Sequence, residues 1–254
     1  MPTRKSGKIF VGIGGWNFAP WRGTFYPKGL TQSKELHFAS RELTAIEINS
    51  TFYGLQKPAT FQKWHDETPD GFVFSVKAPR FVMLRKNLAD AAVAPGMKRF
   101  LESGLLKLGD KLGPINWQLD QSKSFNAAEI AAFLALLPAK LEGRALRHAI
   151  EARHPSFDCE EFFALAREHE VAIVEAGDSE YPRIRARTAP FAYLRVMGTK
   201  ATAPKGYAPA ALAKWTEHAK TLARDGDVYF YFISGAKERN PQAARALIGA
   251  LDPG

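Results

Sequence analysis

Eight short runs of apolar or alternating residues punctuate the chain, at 8–16, 44–52, 72–78, 113–120, 147–153, 171–176, 191–198 and 227–234. Runs of this length, rich in Val, Ile, Phe and Tyr, predict strands. Between most of them the apolar positions recur at helical spacing, predicting helices over 33–42, 58–67, 95–108, 127–137, 159–169, 209–224 and 241–251. Pro58 and Pro95 suit a first helical turn. Asn126 with Glu129, and Asp158 with Glu161, have the spacing of a capping box, and Asn240 is placed to cap the last helix. Only 177–190 carries no helical pattern. Strands that alternate with helices predict a parallel sheet, because parallel neighbours need crossover connections. Eight such units in 254 residues predict an α/β fold of one kind, a single (β/α)8 TIM barrel spanning 1–254 as one domain. Gly12, Gly14 and Gly15 lack the spacing of a dinucleotide-binding loop.

Polar residues interrupt the strands where a barrel would place a site, at the strand ends. The second run places Ala45, Glu47 and Asn49 on one face and Ile46 and Ile48 on the other. A carboxylate inside an apolar strand is costly to bury unpaired, so Glu47 belongs either to an ion pair or to a site. The same logic singles out Lys77, Gln118, Glu151, Arg153, His154, Glu175 and Arg195, which end the third to seventh strands. Three carboxylates and three cations thereby converge on one interior. They predict either an internal ion-pair network fixing strand register or a ligand site at the mouth, with Glu47 and Glu151 as acid/base candidates. Five aromatics lie in the first loop; Trp21 and Phe25 read as lid core. Trp16 and Tyr53, directly after strands, read as stacking surfaces for a ring. The last two loops, with Lys200, Ser234, Gly235 and Lys237, are basic and glycine-bearing, as phosphate sites of barrels often are.

Composition narrows the partners. The formal net charge of +9 favours polyanions, but the basic residues are dispersed, with modest clusters at 4–8, 80–86 and 183–187. No apolar run approaches the ~18 residues of a membrane helix, so no membrane partner is expected. The opening MPTRKSGKIF passes from a basic tail into a strand, unlike a signal peptide. Cys159, the only cysteine, excludes an internal disulfide and fits a cytoplasmic location; it reads as a half-buried residue at a helix start. Of six histidines only His154 ends a strand, which disfavours a multi-histidine metal site; no metal and no cofactor is expected.

The ordered motifs G-W-(aromatic)-x-x-W-x-G-x-F-Y-P, E-I-N-S-T-F-Y, W…T-P-x-G-F-x-F-x-V-K-A and E-x-R-H-P-S-F together resemble the family called domain of unknown function 72, the YecE-like proteins. The motif positions present are Gly15, Trp16, Trp21, Phe25, Tyr26, Glu47, Asn49, Phe52, Tyr53, Lys77, Glu151, Arg153, His154 and Ser156. The resemblance implies a TIM barrel and no established activity. It also marks departures. Where members have Thr-His after the third strand this chain has Met83 and Leu84. Their Arg-x-His-Gly is Arg195-Val196-Met197-Gly198 here, and their Asn-Asn-Asp after strand eight is Ile233-Ser234-Gly235. Two histidines and an acid are thus missing from the mouth.

Two function classes follow. The first is a hydrolase- or lyase-type enzyme acting on an anionic phosphodiester or sugar phosphate, held by Lys77, Arg153 and Arg195. The second is a non-catalytic binder of nucleic acid or of a phosphorylated metabolite. The sequence leaves open which of these holds, and it leaves oligomeric state open as well.

Overall fold

A computed structural model of the chain describes residues 6–252. The basic residues Arg4 and Lys5 of the first cluster lie outside them. Eight parallel strands close a barrel: β1 (Ile9–Gly14), β2 (Ala45–Ile48), β3 (Val73–Lys77), β4 (Leu112–Gln118), β5 (His148–Glu151), β6, β7 (Phe191–Val196) and β8 (Asp227–Phe232). Strand β6 is split into Ala172–Ile173, which pairs with β5, and Glu175–Gly177, which pairs with β7. Val174 between them donates its N–H to the Ile150 carbonyl, so the ring passes through this residue. Strand β8 pairs with β1 and completes the circuit.

Alternation along each strand sorts the core into two. Val11, Ile13, Ile46, Ile48, Val76, Ile115 and Ile150 face outward and are buried under the surrounding helices. Each such side chain contributes roughly 1.5–3 kcal/mol on burial. Ala45, Val73, Ala149, Ala172, Val174, Tyr193, Tyr229 and Tyr231 form a separate cluster inside the barrel. The inner phenols find partners: Tyr231 lies 2.7 Å from the Ser75 hydroxyl, and Tyr229 is bonded to Arg147 at the strands' N-terminal end.

The helices are α1 (Glu35–Glu42), α2 (Ser50–Tyr53), α3 (Pro58–Glu67), α4 (Arg80–Met83), α5 (Val93–Leu101), α6 (Ala127–Ala135), α7 (Glu160–Glu168), α8 (Pro209–Ala223) and α9 (Asn240–Leu251). Several boundaries differ from the periodicity. The second strand stops at Ile48, and 50–53 coils into α2, carrying Phe52 and Tyr53 off the sheet. The helix expected over 95–108 begins at Val93 and ends at Leu101. Pro95 is tolerated there because first-turn N–H groups have no intrahelical acceptor. The polar residues Glu102 and Ser103 end it, and a 3-10 segment, Leu105–Lys111, follows.

Capping is met at one of the three predicted positions. Asn126 accepts the Glu129 N–H at 2.9 Å, but the Glu129 carboxylate turns instead to Leu88 N–H and Lys123. Asp158 does not cap α7, because the 3-10 turn Pro155–Phe157 takes it up as its own terminus; half-buried Cys159 occupies the cap position. Asn240 lies inside α9, and its amide bridges Thr199 and the Ser234 carbonyl. The segment 178–190 contains no helix. Among the described residues no helix is long and apolar enough to cross a membrane.

Candidate functional site

The C-terminal end of the barrel opens into a cavity of about 990 Å³. Beneath it lie residues whose side chains point inward by strand alternation: Glu47 from β2, Asn116 and Gln118 from β4, Glu151 from β5 and Arg195 from β7, of which Gln118 and Arg195 reach the cavity. Glu47 and Glu151 are fully buried. Arg195, 4% exposed, lies between them, donating to Glu47 Oε1 at 2.9 Å and to Glu151 Oε2 at 2.5 Å. Tyr193 donates to Glu47 Oε2 at 2.6 Å, and the Asn116 amide reaches both carboxylates at 3.3 and 3.4 Å. Arg153 donates to Glu151 Oε1 at 2.8 Å and to Gln118 Oε1 at 3.0 Å, while Tyr181 lies against its guanidinium.

This lattice settles the charge states. Burial alone would raise the Glu151 carboxyl, but Arg195, Arg153 and Lys77 outweigh it and hold the group below the ordinary carboxylate range. Burial pulls on Arg195 in the opposite sense, and Glu151 and Glu47 outweigh it to keep the guanidinium charged. Tyr193 is pushed up, first by burial and then by Glu47, so it remains a donor. Glu151 is therefore an ionised acceptor committed to Arg195 and Arg153, and Glu47 accepts from Arg195 and Tyr193.

The cavity lining itself is cationic. Lys77, Arg153, Arg195, Lys63 and Lys237 reach it, whereas its one carboxylate, Glu67, lies 3.6 Å from Lys63. Neither Glu47 nor Glu151 reaches the lining. Lys77, at the end of β3, sits over the Phe52 ring at 4.2 Å. Burial first and Arg195 second lower its ammonium to about 8. Lys237 lies over Phe18 at 4.4 Å, and burial lowers it too. Trp16 stacks edge-on against Trp64 beside the opening, and Tyr53 stands 70% exposed at the rim. Gly14 keeps the floor open, since a Cβ there would come within 2.7 Å of the Asn49 amide and of Ile233.

Of the residues singled out in the sequence, Trp16, Asn49, Tyr53, Lys77, Gln118, Arg153, Arg195, Ser234 and Lys237 line this cavity. Others do not converge on it. Glu175 is set outward because Val174 takes the inner face of β6; it pairs with Arg183, Arg185 and His218 of α8. The interior therefore holds two carboxylates, not three. His154 turns to Ser156, accepting its N–H and capping the short turn that follows. Lys200 points to solvent, and Gly235 packs against the Met197 carbonyl and Thr199 without reaching the lining. Trp21 and Phe25 are buried lid core.

Asn116 and Tyr193 were not singled out, although each shares a strand face with a residue that was, Gln118 and Arg195 respectively. Tyr181 lies in the aperiodic 178–190 segment and gave no signal. Among the described residues no three His, Cys, Asp or Glu side chains converge as a metal ion would require. At the positions where the missing histidines and acid were noted, Met83 is buried, Leu84 is exposed, and Ile233 gives the cavity an apolar wall.

The family model "Protein of unknown function DUF72" matches residues 10–253. The UPF0759 protein YecE of Escherichia coli K12 is 27% identical over 154 residues, which is 59% of this chain. The match covers 50% of that relative, so the chain spans about half the length of the relative it matches. A DUF72 family protein from Enterococcus faecalis V583 superposes with a TM-score of 0.76 at 15% identity, over 96% of this chain and 94% of its own. One from Thermotoga maritima MSB8 gives 0.73 at 22% identity, over 95% and 97%.

Proposed function

The chain belongs to the DUF72 family of unknown function, and from that premise we propose that its barrel mouth binds an anionic, phosphate-bearing substrate for hydrolase- or lyase-type chemistry. The observation that carries this reading is the sign of the lining: five cationic side chains face the cavity, and its single carboxylate is already paired. Glu47 and Glu151, the acid/base candidates of the sequence, fit a different task within the same reading. Fully buried and bonded to arginine, they hold Arg195 and Arg153 in place, so the anion meets preorganised guanidinium groups. A group kept ionised by three cations is a poor proton donor at neutral pH. Burial and Arg195 bring the Lys77 ammonium down to about 8, within reach of proton exchange near neutral pH.

A second reading, non-catalytic binding of nucleic acid, rests on Tyr53. Its largely exposed ring at a cationic rim has Arg80 5.9 Å away and is placed to stack on a base. Titration calorimetry with ribose 5-phosphate, and fluorescence anisotropy with a labelled single-stranded oligonucleotide at two salt concentrations, separates the two. The first reading expects ribose 5-phosphate to bind and Arg153→Ala to weaken it at least tenfold. Submicromolar oligonucleotide binding with a steep salt slope, lost in Tyr53→Ala, would favour the second. Binding of neither ligand would remove both.

A further inference from the structure

Among the described residues, Lys77 and Lys237 are the two cations of the mouth without an ion pair, each over an aromatic ring; of the two, Lys77 is the one set at a strand end beside Arg195 and Arg153. Arg195 and Arg153 are each bonded to buried carboxylates, and Lys63 is paired with Glu67. Among the described residues the Lys77 amine has no ion pair and no hydrogen-bond acceptor; its close neighbour is the face of Phe52. It is nevertheless largely withdrawn from solvent, at the end of β3, and it reaches the cavity. A lone amine held against an aromatic wall beside fixed guanidinium groups is poorly explained as a structural cation. It contributes no bond to the lattice beneath it.

We propose that Lys77 is a nucleophile that forms an imine with the carbonyl carbon of a small anionic aldehyde or ketone, whose charged group rests on Arg153 and Arg195. This rests on the anion-binding reading above and names the reacting group within it. The neutral amine donates its lone pair to the carbonyl carbon as the C=O π bond breaks, and one proton passes from the nitrogen to the carbonyl oxygen through cavity water to give a carbinolamine. That hydroxyl leaves as water after a second protonation from solvent in the open cavity, and the nitrogen retains one proton as an iminium. The iminium is an electron sink for breaking a bond at the adjacent carbon, and hydrolysis returns the carbonyl and the free amine. No oxidant or reductant is consumed.

Three features support the step. The cavity is large enough for a substrate of several carbons. The groups facing the amine are Arg195, Arg153, Glu47 and Glu151; burial and Arg195 dominate their combined influence, and the amine titrates near 8. About a tenth of it is then neutral at pH 7, against roughly one part in three thousand for an ordinary lysine. Phe52 covers one side of the nitrogen, its ring centroid 4.2 Å away, which favours loss of water from the carbinolamine there.

The test is reductive trapping on the full chain. The protein is incubated at pH 7.5 with glyoxylate, glyceraldehyde 3-phosphate or uncharged glycolaldehyde, then reduced with sodium borohydride. Intact mass and peptide mapping report the adduct. The expected result is a single adduct on Lys77 with a charged probe, formed at least tenfold faster than on any other lysine. Glycolaldehyde should label Lys77 no faster than exposed lysines, and Arg153→Ala should remove the preference for charged probes. Lys77→Arg, checked for folding by circular dichroism, should abolish the adduct. Labelling spread over surface lysines, with Lys77 no faster than the rest, would overturn the proposal. If ribose 5-phosphate still binds calorimetrically in that case, the anion site stands and only the covalent step falls. If it does not bind, the site reading itself has failed.

Discussion

At the scale of single residues, Lys77 makes an opposing demand on stability. Its ammonium titrates near 8 in the folded chain against 10.5 for the free side chain, so the unfolded state holds that proton more tightly. Below pH 8 both states are protonated and folding bears the whole cost of burying the charge. Between pH 8 and 10.5 the folded state has lost the proton, so the cost shrinks as pH rises and vanishes above. Lys77→Met should therefore be more stable than the parent by ~2–3 kcal/mol at pH 7, with the difference closing toward pH 10.5. Urea unfolding of both proteins at pH 7 and pH 10 checks this. A variant that is no more stable at pH 7 would mean the amine is not held at a cost. Much of this chemistry was legible in advance. Glu47, Lys77, Glu151, Arg153 and Arg195 stand out because charge is rare inside apolar strands. The direction of Glu175 was not legible. A single inner residue, Val174, decides it, and period two alone does not say which parity faces in.

At the scale of elements, α6 offers the cleanest local argument. Asn126 has extended backbone and its side chain accepts the Glu129 N–H, satisfying one of the orphan donors of the first turn. Asn126→Ala should cost about 1 kcal/mol, read as a lower Tm with an unchanged circular dichroism spectrum. Asp158→Ala should cost far less through capping, because the cap position of α7 belongs to Cys159. The sequence carried the two Asx positions with equal strength. What separated them was Pro155, which coils 155–157 into its own turn and shifts the helix start. The ends of β2 and α5 were lost for a similar reason. Apolar residues such as Phe52 continue a pattern in the sequence while the backbone has already left the sheet. The eight-strand barrel itself was legible because every strand was announced by its own alternating or apolar run, whatever its exact end.

At the scale of the whole molecule, a barrel gains by having no sheet edge for another chain to extend. This one draws the benefit through a narrow clasp. Strand β6 meets β5 through two residues and β7 through three, with Val174 passing the ladder from one neighbour to the other. Two paired positions make the β5–β6 seam the thinnest of the ring; the others have from three, as in β1–β2 and β3–β4, to the six of β7 with β8. The crossover that follows β6 is also the one without a helix. Outside the clasp, Glu175 is tied to Arg183, Arg185 and α8 by His218, a polar fastening where other strands have packed hydrocarbon. Hydrogen exchange followed by mass spectrometry should show amides 171–177 exchanging sooner than those of β1, β7 or β8; equal protection throughout would contradict it. A hoop with one light buckle has a preferred place to come undone. The Arg195–Glu151 ion pair spans that place from β7 to β5, so the arginine cradle is also the strap across the thinnest part of the ring.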